Sequence, residues 1–175
     1  CRSWGGDKCA PRVPAVRDDI EADRTETSSQ VRFSTEHLMV EIDKQDGRLR
    51  VLNRRNEELM AETASAARTG SEIRVERVAR PGEAFYGLGA RADAEADARG
   101  KAIESGRPFL FSSSGYGLYH GGPGVFRFDL ASTNPDRYTV VARPALRFEY
   151  YFYYGPALKA VLEEHMRVVE PRGRL

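Results

Sequence analysis

Polar and apolar positions alternate with a period of two along most of the chain. Val31, Phe33 and Thr35 set the rhythm, and Leu38, Val40 and Ile42 repeat it. That period sends successive side chains to opposite faces of a strand, so it predicts half-buried β-structure. Gln45-Asp46-Gly47 predicts a hairpin turn, because Asp-Gly accepts the positive φ angles that tight hairpins need. Leu49 and Val51 carry the return strand, with Arg48 and Arg50 on its other side. Asn53-Arg54-Arg55-Asn56 predicts a further turn, after which Leu59, and then Ile73 and Val75, resume the apolar phase. The front of the chain reads as an antiparallel meander with one face buried and one wet.

Phe85-Tyr86-Gly87-Leu88-Gly89 breaks the rhythm. Glycine weakens a strand, so this pair behind two aromatics predicts a bulge, a bend or a close backbone approach. It is no dinucleotide fingerprint, since the third glycine is missing and no helical pattern opens there. Ala90 to Arg107 is small and polar, with Ile103 its sole branched apolar residue, and reads as a surface loop. Within it Ala92 to Ala98 has the length of a helical turn but no apolar face to dock. Pro108-Phe109-Leu110-Phe111 and Tyr116-Gly117-Leu118-Tyr119 predict strands either side of a glycine-rich bend. Phe126, Phe128 and Leu130 alternate against Arg127 and Asp129, and Tyr138 and Val140 open the next strand. The longest alternation is Leu146, Phe148, Tyr150, Phe152 and Tyr154, opposed by Arg147, Glu149, Tyr151 and Tyr153. Past Gly155-Pro156 the period lengthens. Leu158, Val161, Leu162, Met166 and Val169 share one stripe at helical spacing, and Pro171 ends it. Short strands divided by turn signals predict an all-β fold, an antiparallel β-sandwich with one C-terminal helix.

Residues 1–30 differ in composition. Gly5, Gly6, Pro11 and Pro14 punctuate them, and Asp18 to Asp23 is mostly acidic, so they read as a flexible leader. Trp4 is expected to pack on the domain. The sandwich then covers 31–171, with 172–175 a short junction. A formal net charge of +1 gives no electrostatic ground for a nucleic-acid partner or an anionic membrane. No apolar run approaches the roughly 20 residues of a transmembrane segment. Cys1 and Cys9 are the only cysteines, and they make no metal site because no second pair of ligands lies at a usable spacing. Three readings of them stay open: a disulfide of an oxidising compartment, an acylated first residue of a lipoprotein, or two incidental thiols. A secreted, periplasmic or lipid-anchored location through Cys1 therefore stands beside a cytoplasmic one. The chain does not begin with Met, from which we expect a piece of a longer product. Nothing in the spacing of His37, His120 and His165 brings two of them together with a glutamate, as an acid–base pair would need.

Taken in order, these segments resemble the N-terminal β-sandwich domain of glycoside hydrolase family 31 (GH31), the α-glucosidase and α-xylosidase family. Residues 82–91, GEAFYGLGAR, are similar to the family's FYGLGER-like sequence, and residues 108–117, PFLFSSSGYG, to its PFFLSSRGYG. Phe128-Asp129-Leu130 is similar to its short FDL strand. Tyr150 to Pro156, with the following helix, is similar to the segment just before its catalytic barrel. The resemblance implies a galactose-mutarotase-like sandwich ahead of a (β/α)8 barrel of the same polypeptide. In the family that barrel carries a retaining mechanism on two carboxyl groups roughly 5 Å apart. No metal or organic cofactor is implied, and no catalytic residue is expected within residues 1–175.

Some positions depart from the family. Ala90 stands where an acidic residue is usual, and His120-Gly121-Gly122-Pro123 replaces an Asp- or Asn-containing turn. The loop over 100–107 is short. In relatives it reaches over the barrel mouth, so Lys101, Glu104, Ser105 and Arg107 are the candidate rim residues for an α-linked sugar. Tyr151 and Tyr153, out of phase with the core set, are candidates to face the barrel, which would leave an apolar patch exposed on the isolated chain. A stand-alone carbohydrate-binding or adaptor sandwich, or a truncated inactive paralogue, are the competing readings.

Overall fold

The structure, a computed structural model, describes residues 21–89, 97–122, 124–145, 147–155 and 157–169. Strands β1 (Asp23–Glu26), β2 (Gln30–Ser34), β3 (Leu38–Asp43), β4 (Leu49–Asn53) and β5 (Glu58–Ala61) form an antiparallel meander in that order. The predicted Asp-Gly hairpin joins β3 to β4, with Gly47 at φ +74°. The meander begins earlier than Val31, because β1 occupies positions assigned to the leader. All four β1 residues are exposed, so no apolar pattern could announce the strand. Its ladder to β2 and the ion pairs of Glu26 with Arg24 and Lys44 hold it instead. Residues 1–20, with Trp4 and both cysteines, lie outside the described residues.

β3 keeps its expected phase, with Leu38 and Val40 packed against the main core, but its other face is closed as well. Leu38, Val40 and Ile42 are only half-buried, whereas Met39 and Glu41 are buried. The reason is electrostatic. Glu41 stands opposite Arg32 on β2 and Arg50 on β4, and both guanidinium groups bond its carboxylate. Burial pushes that carboxyl up, but the hydrogen bonds from Arg50 and Arg32 outweigh it and leave it below its ordinary value.

The remaining strands build two more antiparallel sheets. They are β6 (Ala67–Thr69), β7 (Glu72–Val78), β8 (Phe85–Gly87), β9 (Lys101–Ser105), β10 (Phe109–Ser112), β11 (Tyr116–Gly121), β12 (Val125–Leu130), β13 (Arg137–Arg143) and β14 (Glu149–Tyr154). The second sheet runs β14-β11-β10-β8 and the third β6-β7-β13-β12-β9. An isolated antiparallel bridge between Glu62 and Arg77 links the first sheet to the third. One core draws on all three sheets, including Met60 from the first, Leu110 and Leu118 from the second, and Phe128 and Leu130 from the third. Phe128, Val140 and Val75 are register partners across three strands and are all fully buried. Each such side chain contributes roughly 1.5–3 kcal/mol relative to exposure. The all-β sandwich expected from the alternation is what forms.

The single helix among the described residues, α1 (Leu158–Val169), lies on the second sheet's other face. Val161 is its anchor, fully buried among Phe111, Tyr119 and Tyr153. Gly117 makes room for it: a Cβ there would stand 2.5 Å from Val161 Cγ1. Among the described residues no helix is long and apolar enough to cross a membrane.

Candidate functional site

The Gly-Leu-Gly corner is the tightest backbone feature near the expected rim. Gly87, Leu88 and Gly89 follow one another in left-handed conformation, at φ +98°, +60° and +68°. A Cβ on Gly87 would lie 2.5 Å from the Phe109 carbonyl oxygen, so the close approach expected from the glycines is real. Leu88 bears the strain of a left-handed non-glycine residue, on the order of 1–2 kcal/mol. It is held there by its N–H, which donates to the Phe109 carbonyl at 2.8 Å, and by its own carbonyl, which accepts from Ser105 Oγ at 3.0 Å. Residues 90–96, Ala90 included, lie outside the described residues.

Three of the four candidate rim residues sit on a strand, and only Arg107 lies in the turn that follows it. Lys101, Glu104 and Ser105 belong to β9, the edge strand paired to β12. Strand alternation splits them: Ser105 and Lys101 are register partners of the inward Phe126 and Leu130, while Glu104 faces Arg127 on the outer surface. Ser105 is buried and holds the corner, its Oγ also accepting from the Arg107 N–H at 2.9 Å. Arg107 is exposed and its aliphatic stem passes Gly89. The loop reading failed because only Ile103 supplies an apolar inward side chain in this strand.

Tyr151 and Tyr153 do face away from the main core, as their phase predicts, but α1 covers them. Tyr153 is buried and Tyr151 half-buried, in a cluster with Phe109, Phe111, Tyr119 and Val161. His165 of α1 stacks on Phe109 at 4.2 Å, and its Nδ1 lies 3.4 Å from the Tyr153 hydroxyl. The open apolar patch expected around these tyrosines is therefore absent. The other histidines stand apart. His37 is exposed beside Glu36, and His120 lies in the main core among Phe126, Phe128, Phe148 and Tyr150. Burial, and then the Arg77 charge, push the His120 imidazole down to about 3, so it stays neutral.

A buried polar chain crosses the core that the strand patterns did not announce. Glu83 accepts from the Tyr116 hydroxyl at 3.0 Å, from Ser112 Oγ, and from the Arg80 N–H at 2.9 Å. The Tyr116 and Tyr138 hydroxyls lie 3.2 Å apart. Beyond them the fully buried Arg77 guanidinium sits 5.8 Å from the Tyr138 ring and 4.6 Å from the Tyr150 ring. None of its three nitrogens has a hydrogen-bond partner among the described residues, and the aromatic faces together with the Glu62 charge offset its burial. The Tyr150 hydroxyl then donates to Glu62 Oε1 at 3.4 Å. Burial raises the Glu62 carboxyl despite the opposing Arg77 charge, and raises the Tyr138 phenol to about 12. Held inside the core, these groups tie sheets together rather than meet substrate. One signal was in the sequence: Arg77 occupies the inward phase of β7 after Ile73 and Val75.

An open groove of about 630 Å³ runs over the third sheet's outer face, lined by Arg74, Arg127, Arg137, Glu76, Asp129 and Thr139 among others. Glu76 accepts from Arg137 and Thr63, each at 2.6 Å, and Asp129 from the Ser132 and Thr133 N–H groups. Both carboxyls lie below their ordinary values, Glu76 chiefly through Thr63, and Asp129 through Thr133 and Ser132 against burial. Such saturated carboxylates suit neither general acid nor general base work at neutral pH. Among the described residues no aromatic ring lines the groove.

No protein-family profile and no curated protein sequence matches this chain. Solved structures do. A GH31 dextranase of Flavobacterium johnsoniae complexed with isomaltotriose superposes with a TM-score of 0.79 at 23% identity, over 85% of this chain and 20% of that one. A GH31 α-xylosidase from a soil metagenome gives 0.79 at 17% identity, over 95% of this chain and 29% of that one. The cycloalternan-forming enzyme of Listeria monocytogenes gives 0.75 at 22% identity, over 84% and 17%. The chain has the fold of a unit that makes up between 17% and 29% of these enzyme chains.

Proposed function

We propose that this chain is the N-terminal, non-catalytic β-sandwich of a retaining α-glycoside hydrolase of α-glucosidase or α-xylosidase type. It would support a catalytic (β/α)8 barrel of the same polypeptide and contribute to the rim of its substrate pocket. The observation that carries the reading is the superposition on GH31 enzymes at a TM-score of 0.79 over 85% of this chain but 20% of the dextranase. Support also comes from the chemistry of the chain, whose buried carboxylates Glu41 and Glu83 are engaged by their own donors. In this reading the rim contribution falls to the exposed Glu104 and Arg107, with Ser105 fixing the corner behind them.

One observation favours a second reading. α1 closes the Tyr151 and Tyr153 face, as an autonomous carbohydrate-binding or adaptor sandwich would require. Against it stands the polar groove, which no aromatic ring lines among the described residues. The test is the longer polypeptide with and without residues 23–169. Release of p-nitrophenol from an α-glucoside or α-xyloside, lost on deletion, is the expected result. An undiminished rate after deletion overturns the supporting role.

A further inference from the structure

Among the described residues, five large apolar side chains are exposed, and four of them lie on or beside α1: Tyr154, Leu158, Leu162 and Met166, 38–46% exposed. Leu158, Leu162 and Met166 recur every four residues and so form one stripe along the helix. Val161 and His165 form the neighbouring stripe, which docks on the second sheet. At 3.6 residues per turn the two stripes are centred about 80° apart. Lys159, Glu163 and Arg167 take the wet side. The helix thus carries two adjoining apolar faces, and the sheet occupies one.

We propose that the Leu158, Leu162 and Met166 face is where the catalytic domain of the same polypeptide docks, in place of the Tyr151 and Tyr153 face. This rests on the functional reading above. Three observations select that occupant. The 12 residues of α1 exceed the twentieth of the chain left outside the α-xylosidase match, so the helix belongs in part to the shared unit. Most of each matched chain lies outside that unit. A second copy of this chain fits poorly. Antiparallel pairing about Leu162 would set Glu163 against Glu163 and Lys159 against Arg167, and a parallel pair would bring in the flank already docked on the sheet. A three-residue stripe is also far below the roughly 800 Å² per partner of a stable free association. A tethered domain needs less area, because a short linker holds it at an effective concentration on the order of millimolar.

Leu162→Lys with Met166→Lys is the test, made in the 175-residue chain and in the longer polypeptide, with Leu162→Gln read in parallel as the milder change. In the chain alone the melting temperature should hold within a few degrees and anilinonaphthalene sulfonate fluorescence should fall several-fold. In the longer polypeptide the single thermal transition should split in two, and proteolysis between the domains should accelerate at least tenfold. An active longer enzyme that keeps one transition and its protease resistance with these substitutions removes the docking surface alone. A longer polypeptide without α-glycosidase activity removes the functional reading, and this occupant with it.

Discussion

Gly117→Ala asks whether α1 sits on the second sheet as closely as the structure has it. Gly117 is the register partner of Tyr153, directly beneath Val161. An added Cβ would meet Val161 Cγ1 at 2.5 Å and two ring carbons of Phe109 at 3.3 Å. Carbon atoms prefer about 3.5–4.0 Å, so the helix must retreat by roughly 1 Å. Val161 cannot turn aside cheaply, because a β-branched side chain in a helix has one strongly preferred rotamer. Overpacking of this kind costs about 1–3 kcal/mol. Replacing a strand glycine returns roughly 0.5–1 kcal/mol, which leaves a net loss of about 0–2.5 kcal/mol, roughly 1.25 kcal/mol at mid-range. For a domain of this size the mid-range loss is a fall of about 2.5–5 °C in melting temperature, read by circular dichroism, with faster amide exchange over 158–167. Adding Val161→Ala should relieve the clash, so the double variant should be more stable than the summed losses by about 0.5–3 kcal/mol. Gly117→Ala more stable than the parent, or strict additivity of the pair, would refute the packing.

Gly87→Ala should cost more, on the order of 2–4 kcal/mol by urea unfolding. It combines a positive φ with a Cβ 2.5 Å from a backbone oxygen that cannot rotate away, and parental stability would mean the corner follows another path. Glu41→Gln should lose about 1.5–3 kcal/mol at neutral pH through its charge-assisted bonds to Arg32 and Arg50. Because the folded carboxyl lies below the ordinary 4.5, its contribution is present above that pH and fades as pH falls through the folded value. A gap from the parent undiminished near pH 2 would contradict the pairing. His120→Phe should flatten the acid limb of stability. The folded imidazole, at about 3 against an ordinary 6.5, refuses a proton that the unfolded chain takes up in that window. The parent therefore loses roughly 1.4 kcal/mol per pH unit as pH falls through it, and equal slopes between pH 6 and 4 would sink the assignment.

What the sequence made legible were elements whose faces differ in kind. In β12 the inward Phe126, Phe128 and Leu130 are buried as their alternation demands, with Arg127 exposed between them. In β14 and the residue before it the phase separates Phe148, Tyr150 and Phe152, against the main core, from Tyr151 and Tyr153 on the other side. The Gly87 and Gly89 signal pointed to a close backbone approach, and the structure has one at Phe109. Illegible were features set by partners distant in sequence. β1 buries no side chain, and β9 offers only Ile103 inward between Lys101 and Ser105, so both strands rest on their ladders. The Arg32–Glu41–Arg50 row buries a carboxylate on the face that alternation leaves to water. Tyr153 carries the aromatic character of a docking face, but that a helix of the same chain folds back on it follows from Gly117 meeting Val161 across the sequence.

The most direct measurement is hydrolysis of p-nitrophenyl α-glucoside, α-xyloside and α-galactoside by the 175-residue chain beside the longer polypeptide. The expected result is no turnover by the chain alone and turnover by the longer protein, with the preferred sugar naming the substrate class. Turnover by the 175-residue chain itself would contradict a non-catalytic sandwich and place a catalytic pair among its own residues.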